Sequence, residues 1–487
     1  MAPRFKDIVE EARLSARALL DYGDGLFNPT VRLGVTGLSR SGKTVFITAL
    51  IHGLTSGGRF PVFEPYATGR IARARLEPQP DDAVPRFDYE NHARTLIEER
   101  HWPASTVDIS ELRLVIDYQR QSGADRTLTL DIVDYPGEWL LDLPLLNRSY
   151  EQWSAESLAL SREGPRERLA APWHAHLATL DPEAREDEPA ARMAAKLFTD
   201  YLRACRDERF AMSLLPPGRF LMPGNLAGSP ALTFAPLDVP ADGTAPENSL
   251  WAMMRRRYEA YKDAVVRPFF RDHFARLDRQ IVLVDALAAF NAGPEALHDL
   301  EAALAGILDC FRIGHRTLFS NLFRPRIDRI LFAATKADHL HHSSHDRLEA
   351  VLRRAVAKAA DRAEYAGAVI DVVALAAVRA TREAMVARGR EKLPSLLGTP
   401  ASGEIANGET FDGETEVATF PGDLPVDPEE LFKSAFRGLS SAPSEKADYR
   451  FLRFRPPLLA REGADEPALP HIRLDRALQF LIGDRLQ

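Results

Sequence analysis

A glycine-rich loop between a strand pattern and a helix pattern is the feature that most constrains this chain. Residues 37–44 read GLSRSGKT, which matches the phosphate-binding consensus G-x-x-x-x-G-K-[ST]. Residues 30–36 (TVRLGVT) precede it as a buried strand does, and apolar residues recur with helical spacing from Val45 to Leu54. Such a string arises by chance in a chain of this length about one or two times in a hundred. The chain is therefore predicted to bind a nucleoside triphosphate.

The positions of the loop have separate roles. Gly37 and Gly42 allow the backbone to turn its amide hydrogens toward phosphate oxygens at the start of a helix. Lys43 is predicted to reach the β and γ oxygens, and Thr44 to offer its hydroxyl to Mg²⁺. The alternative is an ordinary glycine-rich turn that opens a helix, and the flanking patterns argue against it.

Length and composition limit the possible classes of protein. A chain of 487 residues exceeds one ordinary domain, so we expect a core domain with a large insertion or an added module. The net charge of -8 and the scattered arginines argue against nucleic-acid binding. Cys205 and Cys310 have no metal or redox spacing, and the first residues do not resemble an export signal, which favours a reducing cytoplasm. No run approaches the roughly 20 apolar residues that cross a bilayer.

A second motif follows an expected β-hairpin. Residues 109–120 partly alternate apolar and polar side chains, and after a turn residues 128–137 read LTLDIVDYPG. Asp134, at the strand end, is predicted to hold the Mg²⁺ shell, while Gly137 presents its amide to the γ-phosphate. Asp131 is a rival for the metal role. The D-x-x-G pattern alone would indicate an ordinary turn, and the phosphate loop upstream gives it weight.

A third motif concerns the base. Residues 329–338 form a strand pattern that ends in TKAD, which matches the [NT]-K-x-D motif of guanine sites. The Asp338 carboxylate can accept both donors of guanine, and the Lys336 stem can lie over the ring. Adenine has an acceptor where guanine has a donor, so guanine is the predicted base. Ala377 and Val378 follow the next strand pattern and resemble a base-capping loop. The alternative is a polar loop after a strand.

Catalytic candidates rest on position alone. Thr106, with Ser105 beside it, precedes the hairpin and is our candidate for the switch threonine that contacts Mg²⁺ and the γ-phosphate. Glu138 stands where many Ras-like proteins have a glutamine that orients water, so slow intrinsic turnover is expected. The alternative that Glu138 caps a turn stays open. No arginine finger can be assigned, although the insertions are rich in arginine and provide candidates in cis.

These assignments define the predicted site. The residues expected to bind the nucleotide are Ser39, Arg40, Ser41, Gly42, Lys43, Thr44, Val45, Gly137, Thr335, Lys336, Asp338, Ala377 and Val378. The residues expected to hold Mg²⁺ are Thr44, Asp134 and Thr106. The catalytic candidates are Glu138, Thr106 and Lys43.

The order of the motifs predicts the fold. Phosphate loop, D-x-x-G, [NT]-K-x-D and base loop follow one another as a Ras-like sheet requires. The expected fold class is α/β: a Ras-like P-loop NTPase sheet flanked by helices, with large mainly helical insertions and a small C-terminal β-containing appendage. The expected division is an N-terminal helix in 1–28, a first core part in 29–140 with an inserted switch region in 56–105, a mainly helical insertion in 141–276, a second core part in 277–400, and the appendage with a closing helix in 401–487.

Further segments carry a family resemblance. Residues 36–44 (TGLSRSGKT), 85–90 (PRFDYE), 108–114 (DISELRL), 134–139 (DYPGEW) and 376–381 (AAVRAT) are similar to the YcjX family of bacterial P-loop proteins, over essentially the full chain. The resemblance implies a Ras-like GTP-binding core with inserted helical segments. It also implies a link to the bacterial stress response and, for many members, a membrane-protein partner related to envelope stress.

The leading interpretation is a cytoplasmic switch, at most peripheral at the inner membrane, that uses GTP/GDP and Mg²⁺ and acts on an unidentified protein effector. Nucleic acid is not an expected partner. Two alternatives remain open. If the TKAD segment is only structural, the chain is an ATPase or a P-loop kinase-like enzyme. If Glu138 does not support catalysis, the chain is a nucleotide-bound scaffold with negligible hydrolysis.

Overall fold

The structure, a computed structural model, covers most of the chain. The helix predicted within residues 1–28 lies outside the described residues, as do the predicted site residues Ser39 and Thr106 and the neighbouring Ser105. The described residues are 29–38, 40–104, 108–310, 327–365, 367–388, 391–406, 408–433, 452–459 and 467–487.

A mixed sheet of seven strands forms the centre of the fold. The strands are β1 (Thr30–Gly37), β2 (Ile71–Glu77), β3 (Ser110–Gln119), β4 (Asp125–Asp134), β5 (Arg279–Val284), β6 (Arg329–Ala334) and β7 (Val369–Ala374). Their spatial order is β2-β3-β4-β1-β5-β6-β7. The strands β4, β1, β5, β6 and β7 run parallel. At one side of the sheet β3 pairs antiparallel with β4, and β2 pairs antiparallel with β3. The predicted hairpin is confirmed by the pairing of β3 with β4.

The parallel strands end together at one edge of the sheet. Val35 of β1 pairs with Asp134 of β4, and Gly37 pairs with Leu283 of β5. Loops that follow parallel strands therefore meet at this edge, where ligands of open α/β sheets bind. These strands are apolar on both faces because helices cover both. The predicted α/β fold class is confirmed.

Thirteen helices are described. They are α1 (Lys43–Thr55), α2 (Glu64–Ala67), α3 (Tyr89–Ile97), α4 (Tyr150–Ser161), α5 (Pro165–Leu177), α6 (Glu188–Arg206), α7 (Gly218–Leu221), α8 (Leu250–Tyr261), α9 (Arg267–Asp272), α10 (Ala286–Ala292), α11 (Pro294–Cys310), α12 (His345–Tyr365) and α13 (Leu474–Ile482). A 3-10 segment covers Gly137–Asn147, and a π-helical turn at Lys262–Val266 joins α8 to α9. No described helix has the length and apolar composition needed to span a membrane.

Local sequence explains where several helices begin. α4 opens with a reciprocal cap in which the Ser149 hydroxyl accepts from the Gln152 amide and the Gln152 side chain accepts from the Ser149 amide. α6 opens on Asp187, whose carboxylate accepts from the Ala190 amide at 3.1 Å. α1 differs because the residue before it, Gly42, occupies the N-cap position and has no side chain to cap the helix. Its first amide hydrogens are therefore left for another acceptor.

The segment between β4 and β5 packs directly on the sheet. One continuous hydrophobic cluster contains Val282 and Phe332 of the sheet together with Trp153 of α4 and Phe198 of α6. The opposite face of the sheet packs on α1 and on the closing helix α13. The segment therefore shares its core with the sheet and has no separate one.

The C-terminal part contains more strands than predicted. β8 (Arg382–Arg388), β9 (Glu391–Gly398) and β12 (Val417–Thr419) form a three-stranded sheet, and β10 (Ile405–Ala406) pairs with β11 (Glu409–Thr410). The small β-containing appendage that the sequence predicts at the C-terminal side is confirmed. Farther along, Phe454 makes a single bridge with Pro400.

Candidate functional site

The phosphate loop has the backbone shape that its sequence predicts. Gly42 has φ 80°, and Arg40, a non-glycine residue, has φ 62°. A side chain at Gly42 would find space but a strained backbone, whereas a Cβ at Gly37 would lie 2.0 Å from Ser41 Oγ. Gly37 is thus required for close approach and Gly42 for its left-handed conformation. Val45 follows in the first turn of α1, half-buried.

Two charged residues of the predicted site pair with each other. The Lys43 ammonium donates to Asp134 Oδ1, and the Asp134 side chain is almost fully buried. The other carboxylate oxygen, Oδ2, is buried with no hydrogen-bond partner among the described residues. Thr44 Oγ1 lies 3.4 Å from the carbonyl oxygen of Ala104. This cluster is a set of hard oxygen ligands beside the phosphate loop, which is the donor chemistry that Mg²⁺ takes.

Asp131, the alternative metal ligand, is bonded to an arginine instead. Its two carboxylate oxygens accept from Arg113 Nε at 2.7 Å and Nη2 at 2.9 Å. Such a bidentate pair satisfies the carboxylate within the hairpin. Asp134 is therefore the carboxylate of β4 that stands beside Lys43.

The segment after β4 approaches the phosphate loop closely. A Cβ at Gly137 would lie 2.4 Å from the carbonyl oxygen of Gly37, so only glycine fits there. Glu138 is buried, and burial raises the pKa of its carboxyl above the ordinary value of 4.5, an effect that the positive charges of Arg206 and Lys43 partly offset. Glu138 Oε1 lies 3.8 Å from Arg206 Nη1.

The predicted base motif lies after β6. The Thr335 amide donates to the carbonyl oxygen of Val284 at 2.9 Å, which fixes the start of the segment. Lys336 has φ 60°, and its ammonium pairs with Asp285 at the end of β5. Asp338 is buried, and its Oδ2 accepts from the Ala380 amide at 2.9 Å. The loop after β7 thus holds the aspartate in place.

One cavity of about 640 Å³ joins these segments. Most of the described site predictions line it, namely Arg40, Ser41, Gly42, Lys43, Thr44, Val45, Glu138, Thr335, Lys336, Asp338, Ala377 and Val378. Gly137 and Asp134 stand directly beside it through Gly37 and Lys43. Residues distant in sequence are therefore brought to one site at the end of the sheet.

Sequence reasoning missed several lining residues. Arg206 and Met222 come from the segment between β4 and β5, and Trp102, Arg453 and Phe454 come from two further segments. Trp102 Nε1 donates to the carbonyl oxygen of Phe454 at 2.6 Å, which ties the two outer segments together. None of these residues belongs to a motif, so a single sequence contains no signal that separates them from neighbours of the same type.

The chain resembles known proteins over most of its length. The model of the YcjX-like family matches residues 31–486. A protein of Escherichia coli K12 named "Ras-like GTPase YcjX" is 39% identical over 473 residues, which cover 94% of this chain and 96% of the relative. A protein of the same name from Shewanella oneidensis MR-1 is 33% identical over 485 residues, with 94% and 95% covered. The chain belongs to the YcjX-like family.

Proposed function

We propose that this chain binds GTP and GDP with Mg²⁺, hydrolyses GTP slowly and changes conformation between the two states. One observation carries the proposal: a single cavity is lined by the phosphate loop, by Glu138 after the D-x-x-G glycine and by the TKAD segment. Its volume of about 640 Å³ suits a ligand of nucleotide size. Two relatives that match almost the whole chain are named Ras-like GTPases, which supports the same reading.

Base recognition is assigned to Asp338. Its carboxylate is buried at the cavity and accepts one hydrogen bond, from the Ala380 amide, so its oxygens retain lone pairs for the two parallel donors of guanine. Adenine would leave this buried acceptor opposite another acceptor, and the unpaired carboxylate would oppose binding.

The residues also fit a bound Mg²⁺. Thr44 and Asp134 would hold it, directly or through water, because the hydroxyl stands in the first turn of α1 and the buried Asp134 Oδ2 has no partner within the described parts of the chain. The ion would neutralise negative charge on the phosphates. Thr106 stays our candidate third ligand.

Glu138 explains why turnover is expected to be slow. An ionised carboxylate beside the γ-phosphate would repel it, and the raised pKa of Glu138 reduces that repulsion without providing the neutral amide that orients water elsewhere. A nucleotide-bound scaffold with negligible hydrolysis is the second candidate, and the burial of Glu138 favours it.

On the resemblance to the family, we further propose a cytoplasmic location and a role in the bacterial stress response through a protein effector. The effector would be a membrane protein if the chain acts at the inner membrane. We also propose the domain division given above, with residues 141–276 as an insertion into the nucleotide-binding core.

The base assignment is tested by Asp338→Asn. Replacing one carboxylate oxygen by an amide places a donor opposite a guanine donor but opposite an acceptor of xanthine, so we expect GTP affinity to fall by on the order of 10²-fold and XTP affinity to rise. Calorimetry with GTP, XTP and ATP measures this. Asp346→Asn, at an exposed carboxylate of α12, is the control. A wild-type chain that prefers ATP would contradict the guanine assignment.

The slow GTPase and its two alternatives, the scaffold and the ATPase or kinase-like enzyme, are distinguished by single-turnover assays. These assays use the wild-type chain with GTP and with ATP, each with and without Mg²⁺. Slow hydrolysis of GTP that requires Mg²⁺ supports the leading proposal. Binding of GTP without hydrolysis supports the scaffold, and faster hydrolysis of ATP supports the ATPase or kinase-like alternative.

A further inference from the structure

The segment between β4 and β5 reaches the phosphate end of the cavity through one helix end. Arg206 is the last residue of α6, and its guanidinium lies 3.5 Å from Met222 Sδ and 3.8 Å from Glu138 Oε1. Two residues later, Glu208 pairs with Arg40 of the phosphate loop. The end of α6 therefore faces both the phosphate loop and the residue that follows Gly137.

Three arginines line the cavity within the described ranges, and their positions differ. Arg453 donates to Glu404 at 2.6 Å, and its neighbour Phe454 contacts the His339 ring, so it stands near the TKAD segment. Arg40 and its partner Glu208 are both more than half exposed. Arg206 is the described lining arginine that stands beside Glu138, at the end where Gly137 would meet the γ-phosphate.

The contacts of Arg206 are weak ones. A thioether sulfur is a poor acceptor, and a nitrogen–oxygen distance of 3.8 Å is too long for a hydrogen bond. The Arg206 side chain is 30% exposed, so its guanidinium can move without first being buried alone. An arginine that bears a full charge, lines a phosphate cavity and lacks a strong partner among the described residues is available for an incoming anion.

We propose that Arg206 is a catalytic residue supplied in cis, whose guanidinium contacts the γ-phosphate and the β–γ bridging oxygen of bound GTP. This inference rests on the proposed function and extends it. Water forms a bond to the γ-phosphorus, the bond from that phosphorus to the bridging oxygen breaks, and GDP leaves with the electron pair. The proton of the water passes to the released phosphate, while Arg206 stays protonated and stabilises charge on the bridging oxygen.

The position of Arg206 has a structural consequence for this step. The guanidinium must pass from Glu138 to the phosphate, so Glu138 and the γ-phosphate compete for the same cation. Because α6 carries Arg206, any displacement of this helix changes the position of the Arg206 guanidinium in the cavity. The segment between β4 and β5 would then set the hydrolysis rate without altering the residues that bind GDP.

The test compares the full-length wild-type chain with Arg206→Ala, Arg206→Lys and the control Arg203→Ala. Arg203 lies one turn earlier on α6, is exposed and pairs with Asp200 at 3.3 Å. We expect Arg206→Ala to lower the single-turnover rate with GTP by on the order of 10³-fold and Arg206→Lys to restore little of it, since lysine lacks the planar fork. Arg203→Ala should hydrolyse GTP at the wild-type rate.

A binding measurement separates catalysis from folding. GDP affinity should change less than about 3-fold in Arg206→Ala, whereas binding of GDP with aluminium fluoride, which imitates the transferring phosphoryl group, should be lost. Equal hydrolysis and equal aluminium fluoride binding in Arg206→Ala and wild type would overturn this inference alone. A wild-type chain that binds no GTP, or binds it without hydrolysis, would overturn the proposed hydrolysis and this inference with it.

Discussion

At the scale of single residues, the main observation is that the site pairs its own charges. Lys43 and Asp134, which should face phosphate and metal, face each other in a nearly dry position. A buried ion pair gains its attraction against a large desolvation cost, so removing one partner leaves an uncompensated charge. Under the proposed function, an entering nucleotide with Mg²⁺ would have to supply partners for both groups at once, which would couple phosphate binding to metal binding.

Replacing Lys43 by alanine tests this coupling. We expect Lys43→Ala to lower affinity for GDP and GTP by on the order of 10²-fold or more, and to reduce the free energy of unfolding by about 3 kcal/mol because Asp134 loses its cation. Calorimetry and urea unfolding measure the two effects. Lys196→Ala, at an exposed lysine of α6, should change neither. Unchanged GTP affinity in Lys43→Ala would remove the phosphate-loop assignment.

A buried acid of the Gly137–Asn147 segment gives a pH-dependent stability. Burial raises the pKa of Asp142 from 3.8 to about 6, against hydrogen bonds from Tyr261 and from the Gly218 and Arg219 amides. The folded chain thus keeps a proton that the unfolded chain releases. The contribution of Asp142 to the free energy of unfolding is complete below pH 3.8 and is lost as the pH rises through about 6.

Asp142→Asn should remove this dependence. Between pH ~5 and pH ~7 we expect the wild-type free energy of unfolding to fall by on the order of 1 kcal/mol relative to the variant. Urea unfolding at both pH values measures the difference. Asp346→Asn serves as the control at an exposed position and should keep the wild-type slope. Parallel curves for wild type and Asp142→Asn would contradict the assignment.

At the scale of elements, α7 packs directly against the segment that follows Gly137. A Cβ at Gly218 would lie 1.9 Å from the carbonyl oxygen of Glu138. The Trp139 indole donates to the Met222 carbonyl oxygen at 3.1 Å, and the Arg219 guanidinium lies 3.1 Å from the centre of an indole ring. The conformation of Glu138 is therefore tied to the segment between β4 and β5 by direct contact.

Gly218→Ala tests the contact between α7 and the Glu138 backbone. The added methyl group must separate α7 from the Glu138 backbone, so we expect a loss of about 2–3 kcal/mol in the free energy of unfolding. Gly306→Ala in α11 is the matched control, because its Cβ would meet Pro144 at 4.0 Å, and alanine in a helix should be neutral or stabilising. Equal stability of the two variants would contradict this, because it would show that α7 can move away from the Glu138 backbone at no cost.

The elements also differ in how well they could be predicted from the sequence. β1, β6 and β7 were predictable because each is a short apolar run that ends in a loop with a recognisable motif or base-loop pattern. β2, with the alternating sequence IARARLE, carries a strand pattern but lies where an inserted switch was expected, and it was missed. The 3-10 segment Gly137–Asn147 and the π-helical turn were missed because tertiary packing, such as the Asp142 bonds, determines them. The cavity residues Arg206 and Phe454 lie outside every motif.

At the scale of the whole molecule, four of the five tryptophans report on one cluster. Four of them belong to the chain segment that connects β4 to β5, and all four are buried: Trp139, Trp153, Trp173 and Trp251. Trp102 is partly exposed. The hydrophobic cluster around them continues into the sheet whose end carries the candidate site. A ligand bound at the end of the sheet should therefore stabilise the helical segment as well.

Thermal unfolding checks this connection. At a GDP concentration of 100 times its Kd, we expect about 2.7 kcal/mol of stabilisation, with tryptophan fluorescence and far-UV circular dichroism shifted to the same higher midpoint. Lys43→Ala should show no shift with GDP. A fluorescence midpoint that stays unchanged while the circular dichroism midpoint rises would show that the helical segment unfolds independently.

The position of β1 in the sheet has a consequence for biosynthesis. β1 lies between β4 and β5, and the chain from Gly37 to Leu283 must leave the ribosome before both neighbours of β1 exist. The strand that supports the phosphate loop therefore stays half-paired until Arg279–Val284 has been translated. Nascent chains should acquire their nucleotide only after Asp338 has emerged, and chaperones would meet an exposed edge of β1 until β5 pairs with it.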